Sequence, residues 1–219
     1  VARGNLGKGG EVRDNGVVVL RRDGNQLKVL GQLNSLGVDE EIQSVRWMDD
    51  LAVVVTFRQT DPLYTIDLAD PAQPKLLGAL KITGFSAYLH PIGKQQFLGI
   101  GVDADYQGRN VGAQLATFDL TDLSQVRQVQ VQRFGRYSSL AASYDPKAFT
   151  WLSKRRTAIT LAMTEMANKL VFIKVADDGT FTMTERPVSQ GEYAVRALPL
   201  ANNEVAVVSN ERVELVAIP

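Results

Sequence analysis

A chain of 219 residues with 24 Lys and Arg against 24 Asp and Glu has no net charge, and 45% of its residues are hydrophobic. That balance excludes global disorder and lacks the basic surplus with which nucleic-acid binders neutralise phosphate. The absence of cysteine excludes disulfide scaffolds, thiolate zinc sites and cysteine nucleophiles, and no apolar run approaches the ~18 residues that span a bilayer.

Residues 1–15 read as an extended or linker segment. The opening Val1-Ala-Arg-Gly is neither an initiator methionine nor a signal peptide, so the chain is expected to be a fragment or a processed product. From Gly16 a strand runs through Val17-Val-Val-Leu to Asp23, turns at Gly24, and returns as Lys28–Leu33. Ser44–Met48 then leads through Asp49-Asp50 into Leu51–Phe57. Leu63–Asp70 turns at Pro71 into Lys75–Leu80. Tyr88–Ile92 leads through Gly93-Lys94 into Phe97–Gly101, and Leu115–Asp122 follows. Leu140–Trp151 leads into Ala158–Ala162, and Leu170–Asp177 turns at Gly179. Ala194–Leu198 leads through Asn202-Asn203 into Val205–Ser209, and Val213–Pro219 closes the chain.

These elements repeat. Leu63-Tyr-Thr-Ile-Asp-Leu-Ala-Asp70, Leu115-Ala-Thr-Phe-Asp-Leu-Thr-Asp122 and Leu170-Val-Phe-Ile-Lys-Val-Ala-Asp177 are copies of one segment, with degenerate copies at Gly16 and Val213. The starts at 16, 63, 115, 170 and 213 lie 47, 52, 55 and 43 residues apart. Each copy is a strand, an Asp-centred turn and a second strand, because Asp hydrogen-bonds its own backbone, Pro presets φ and Gly accepts positive φ. A further strand pair precedes each hairpin, and its second member is apolar on both faces, as a strand buried between layers must be.

Four strands in about 50 residues, repeated, predict the blades of an all-β propeller. About four four-stranded antiparallel blades fill 16–219, and they are expected to form part of a larger propeller completed by further blades of the same polypeptide or by a second copy. A helical solenoid would need 3.6-period stripes, and a β-sandwich would not repeat at this interval.

Ser44-Val-Arg-Trp-Met-Asp-Asp-Leu-Ala-Val-Val-Val-Thr-Phe-Arg-Gln-Thr-Asp-Pro-Leu-Tyr64 resembles a signature of the predicted secreted β-propeller proteins of bacteria and archaea, which are distantly WD40-like. Gly84–Gly93, Leu98–Asp105, Tyr144–Phe149 and Val205–Pro219 match in order. The resemblance implies the C-terminal part of such a propeller and a secreted or cell-envelope location. The chain departs from the pattern where Asp145-Pro146 replaces Asp-His and Lys174 replaces an aspartate.

Several segments carry candidate chemistry. Asp103, Asp105 and Asn110, with Gly108 between them, match the first half of a calcium loop. Gln107 stands at the third ligand position and Gln114 where the glutamate is needed, so an ordinary hairpin loop is the competing account. Arg58-Gln59-Thr60-Asp61 follows a buried strand, where propellers place binding residues; Arg58, Gln59 and Asp61 are ligand candidates, or Arg58 and Asp61 pair to hold the loop. His90 is the sole histidine, and no nucleophile elbow accompanies it, so it is read as structural rather than catalytic. The adjacent pairs Asp49-Asp50 and Asp177-Asp178 point to opposite faces and read as turns. Gly99 and Gly101 mark close backbone approach in an inner strand near the axis. Lys154-Arg155-Arg156 reads as a solvated turn or a polyanion patch. Trp47, Phe57, Tyr64, Phe85, Tyr88, Tyr137, Tyr144 and Phe149 read as inter-blade core or as an aromatic rim on one face.

The functional expectation is an extracytoplasmic binding or scaffold module for a protein or a cell-envelope polysaccharide, non-catalytic, with no nucleic acid and no cofactor beyond a calcium candidate. The alternative is a propeller hydrolase or lactonase with a metal-assisted site near the central channel.

Overall fold

The structure is a computed structural model that describes residues 1–4, 14–58, 61–188 and 195–219, with the side chain of Asp61 outside the description. Almost every element is a strand, and the strands form consecutive antiparallel sheets. The first sheet holds β1 (Ala2–Gly4), β2 (Asn15–Asp23) and β3 (Gln26–Leu33). The second holds β4 (Glu41–Met48), β5 (Leu51–Phe57), β6 (Asp61–Asp67) and β7 (Lys75–Ile82), in that spatial order. The third repeats the order with β8 (Phe85–Gly93), β9 (Gln96–Ala104), β10 (Asn110–Asp119) and β11 (Arg127–Arg133).

The fourth sheet departs from the plan. Its inner strand is split into β12 (Ser139–Leu140) and β13 (Thr150–Leu152), both paired to β14 (Thr157–Met163). Two 3-10 turns, Ala141–Ser143 and Pro146–Ala148, fill the gap. Pro146 has no N–H to give a ladder, and Asp145 caps the second turn by accepting from Lys147 N at 3.0 Å. β15 (Asn168–Val175) and β16 (Phe181–Val188) complete the sheet. The fifth sheet holds β17 (Arg196–Pro199), β18 (Glu204–Val208) and β19 (Val213–Ala217). The repeat starts at 63, 115, 170 and 213 thus fall in or at the third strand of successive sheets. The first and fifth sheets, which hold the degenerate copies, are three-stranded among the described residues, and Ala2–Gly4 from the extended or linker segment pairs with β2.

The core is divided between sheets. Val17, Leu36, Ala52, Val54 and Ile66 pack between the first and second. Val53, Val55, Leu63, Leu89, Phe97, Ala116 and Phe118 pack between the second and third. Ile100, Leu115, Ala158 and Val171 belong to the next layer, and Ile159, Leu161, Phe172, Val205 and Val207 to the last. Along β5 alternate residues therefore enter different layers, the period of two that puts successive side chains on opposite faces. Both faces of each middle strand are buried, which is why those strands read as continuous apolar runs.

Polar contacts stitch the layers. Ser44 Oγ donates to the Ser86 carbonyl at 2.6 Å, Arg46 donates to the Leu89 carbonyl, and Thr150 Oγ1 donates to the Ala197 carbonyl at 2.5 Å. Each runs from one inner strand to the next. On the outer side Gly31 and Gly78 lie against the turns of the following sheet. A Cβ there would stand 2.5 Å from the Ala72 and Leu123 carbonyl oxygens respectively, so only glycine lets the sheets close. Gly99 and Gly101 also mark close approach, to Ser86 and to the Phe85 carbonyl, but β9 is the second strand and not the inner one.

This topology separates two faces. The Asp-centred turns lie at one end, where Asp67, Asp70, Asp119, Asp122 and Asp178 each accept from a backbone N–H two residues on at 2.9 Å. The Asp49-Asp50 and Asp177-Asp178 turns are at that end as well. The opposite end carries the second-to-third-strand loops and the connections from sheet to sheet.

Candidate functional site

The loop face is built out most at the third and fourth sheets. Between β9 and β10, Asp105 organises a tight loop. It accepts from Gln107 N at 2.9 Å, from Arg109 N at 3.0 Å and from Arg109 Nε at 2.8 Å. The hydrogen bonds from Arg109 hold its carboxyl below the usual carboxylate range. Between β11 and β12, the connection is stitched to β10. Phe134 N donates to the Ala113 carbonyl at 3.0 Å. Ser138 Oγ accepts from Ala113 N at 2.9 Å and donates to the Gly135 carbonyl at 2.5 Å. These bonds hold Tyr137 at φ 58°, a left-handed conformation that an aromatic residue rarely adopts. Such strain costs on the order of 1–3 kcal/mol and clusters at ligand clamps.

The two segments enclose a cleft of about 640 Å³ lined by Asp105, Arg109, Asn110, Arg136, Tyr137 and Ser138, with Val111. A neighbouring hollow of about 400 Å³ shares Asn110 and Ser138 and reaches Gln43 on β4, Ser139 on β12, and Ser143 and Tyr144 at the turn that interrupts that inner strand. The rings of Tyr137 and Tyr144 are 74% and 64% exposed, and Tyr106, on the Asp105 loop, is 84% exposed. Of the aromatics that the sequence offers as a rim, Tyr137 and Tyr144 are bare here, and Tyr106, which it does not single out, joins them. Trp47 is also largely exposed. By contrast Phe57, Phe85, Tyr64, Tyr88 and Phe149 pack against other residues as core or ring pairs.

The candidate calcium residues lie at one end of the β9–β10 pair, but each is engaged by a partner of its own. Asp103 pairs with Arg133 on β11 at 3.0 Å, Asp105 pairs with Arg109 at 2.7 Å, and Asn110 Oδ1 accepts from Gly112 N at 2.8 Å. No cluster of three His, Cys, Asp or Glu placed to hold a metal ion occurs among the described residues. An ion would have to displace two guanidinium groups, so millimolar calcium is expected to leave the thermal midpoint unchanged. A rise of several degrees would show that the loop opens to the ion.

Arg58 lies on the same face, after β5, and its guanidinium is 3.8 Å from Asp39 in the preceding connection. Gln59 and the side chain of Asp61 lie outside the described residues. Of the basic run, Lys154 and Arg155 are exposed while Arg156 turns inward to bond backbone carbonyls.

His90 belongs to an aromatic cluster on the inner strands. Tyr88 Oη lies 3.3 Å from His90 Nδ1, and the rings of Phe149 and Trp151 are centred 4.7 and 5.8 Å from the imidazole. The Arg46 guanidinium sits 5.4 Å from the Tyr88 ring centre. Burial first, and then the Arg46 charge, lower the His90 pKa from 6.5 to about 4. The folded protein therefore favours neutral His90, and unfolding takes up a proton anywhere between these values. Stability is expected to be highest above pH 6.5 and to fall as the pH drops toward 4. Urea midpoints at pH 7 and 5 check this, and His90→Gln should flatten the difference. An equal slope in the variant would assign the effect elsewhere.

Arg136, Tyr137 and Ser138 were not singled out together by sequence reasoning. The one local signal is Gly135, which with Gly112 lets the connection close on β10.

Comparison with known proteins agrees with this architecture. The profile of the family described as Beta propeller domain matches residues 4–214. An uncharacterised protein of Methanocaldococcus jannaschii is 41% identical over 140 residues, 64% of this chain and 21% of its own length. An uncharacterised protein of Archaeoglobus fulgidus is 41% identical over 103 residues, 47% of this chain and 16% of its own length. The chain thus spans about a fifth of the length of these relatives or less.

Proposed function

This chain belongs to the β-propeller domain family, and we propose that it is a non-catalytic binding module whose ligand site is the loop-face cleft of the third and fourth blades. The cleft carries the reading: strained Tyr137, Arg136 and the Asp105–Arg109 loop present polar and aromatic groups on a rigid sheet framework. Asp105 is engaged by Arg109 and by the backbone N–H groups of its own loop, which favours a structural part in a binding face over general-acid chemistry. The inner strands present Arg46, Tyr88, His90, Phe149 and Trp151 to one another, a packed ring cluster rather than an array of ligands for a hydrolytic metal.

We further propose that the module acts outside the cytoplasm, as one part of a longer polypeptide with further blades. The resemblance of Ser44–Tyr64 and Gly84–Gly93 to exported propellers and the greater length of the relatives support this. Protease accessibility of the full-length protein in intact cells tests the location, and resistance until lysis would refute it. The cleft is tested by screening the immobilised chain against cell-envelope polysaccharides and proteins beside a Tyr137→Ala variant. Capture that vanishes in the variant supports the site, and capture that survives it places binding elsewhere.

A further inference from the structure

We propose that the ligand of the cleft is an acidic glycan, a saccharide chain bearing uronate carboxylates; this rests on the binding role assigned to the cleft above. The charge balance is the first argument. The lining contains two guanidinium groups and one carboxylate. Asp105 and Arg109 neutralise each other through their 2.7 Å ion pair, which leaves Arg136 as the uncompensated charge. Arg136 is exposed and has no carboxylate partner among the described residues. A guanidinium presents a planar fork that matches a carboxylate bidentately.

The second argument is the surface beside that charge. Tyr137 stands next to Arg136 in sequence and in the lining, and its left-handed backbone is fixed by the Ser138 hydrogen bonds. Its backbone is therefore set before any ligand arrives, and the ring is left exposed beside Arg136, which lowers the backbone part of the ordering cost of binding. An exposed tyrosine offers an apolar face to the C–H groups of a sugar ring and a hydroxyl to its edge. The third argument is the adjoining hollow. There the amides of Asn110 and Gln43 supply polar groups suited to sugar hydroxyls, beside the apolar surface of Phe85 and Val102.

A peptide partner would be favoured by an apolar anchor pocket or an unpaired strand edge. The cleft itself has a single aliphatic lining residue, Val111. A neutral glycan would leave Arg136 unused, and a nucleic acid would require more than one free cation.

Titration calorimetry of the chain with trigalacturonate, maltotriose and hexaglutamate tests the proposal. Trigalacturonate should bind, maltotriose and hexaglutamate should not, and added salt should weaken the interaction. Arg136→Gln and Tyr137→Ala should each weaken it by roughly tenfold or more, with circular dichroism confirming that both variants stay folded. If trigalacturonate gives no heat, the acidic-glycan assignment is overturned. If maltotriose or hexaglutamate binds and is lost in Tyr137→Ala but not in Arg136→Gln, the cleft stands and its ligand class is wrong. If trigalacturonate binding survives both substitutions, the cleft reading fails as well.

Discussion

Phe118→Ala should lower stability by about 3–5 kcal/mol, the range for deleting a fully buried aromatic. Phe118 on β10 is completely buried, and it packs with Val53, Val55, Phe97 and Val126 between the second and third sheets. Each sheet is packed chiefly against its neighbours, so damage to one layer is not shared with the others. A chain of this size loses roughly 2–4 °C per kcal/mol, so scanning calorimetry should show a large fall in midpoint. Phe118→Leu, which keeps most of the volume, should cost under about 1.5 kcal/mol. A loss below ~1 kcal/mol for the alanine variant would mean that this layer is not a core.

Arg156→Ala should cost about 2–4 kcal/mol, although Arg156 sits in a run of three basic residues beside a turn. Its guanidinium donates to the carbonyls of Ile92 at 3.0 Å, Val175 at 3.1 Å and Ala176 at 3.0 Å, and to Gln96 Oε1 at 3.2 Å. Ile92 and Gln96 belong to the third blade and the two other acceptors to the fourth, so one side chain clamps two blades. A hydrogen bond from a charged donor contributes about 1.5–3 kcal/mol, and because the Arg156 side chain is 28% exposed water replaces part of the four, which keeps the expected total at about 2–4 kcal/mol. The accompanying pair with Asp177, at 3.4 Å, involves a carboxylate that is 97% exposed, and screening leaves it little weight. Denaturant midpoints should therefore drop for Arg156→Ala and for Arg156→Lys, whose point charge cannot reach all four acceptors. Asp177→Ala should change almost nothing, and a larger loss there would reverse the assignment.

The strands were legible because their physics is local. Val53 and Val55 face one layer and Ala52 and Val54 the other, and a short apolar run bounded by turn residues and repeated along the chain signals a strand buried on both sides. The Asp turns were legible for the same reason, since Asp67, Asp119 and Asp178 bond backbone two residues away. The break in the fourth inner strand was partly hidden. Leu140, Ala141 and Ala142 continue an apolar pattern, and Pro146 alone announced the interruption.

The site was less legible because its pairings span the fold. Arg58 has Asp39 from the preceding connection 3.8 Å away, a pairing across the fold that local spacing does not signal, while the Asp61 side chain, its candidate partner within the loop, lies outside the described residues. Asp103 finds its partner thirty residues on, across β10. Tyr137 and Tyr144 resemble core aromatics in sequence. Their exposure follows from a left-handed backbone at one position and a strand interruption at the other, and neither has a compositional signature.

The central claim is that ligand meets the loop face at the third and fourth blades. Amide hydrogen exchange of the chain with and without saturating trigalacturonate tests it directly. Protection should appear in residues 105–112 and 134–139, with none in the Asp turns at 68–74 and 120–126. Protection confined to those turns, or no change anywhere, would contradict it.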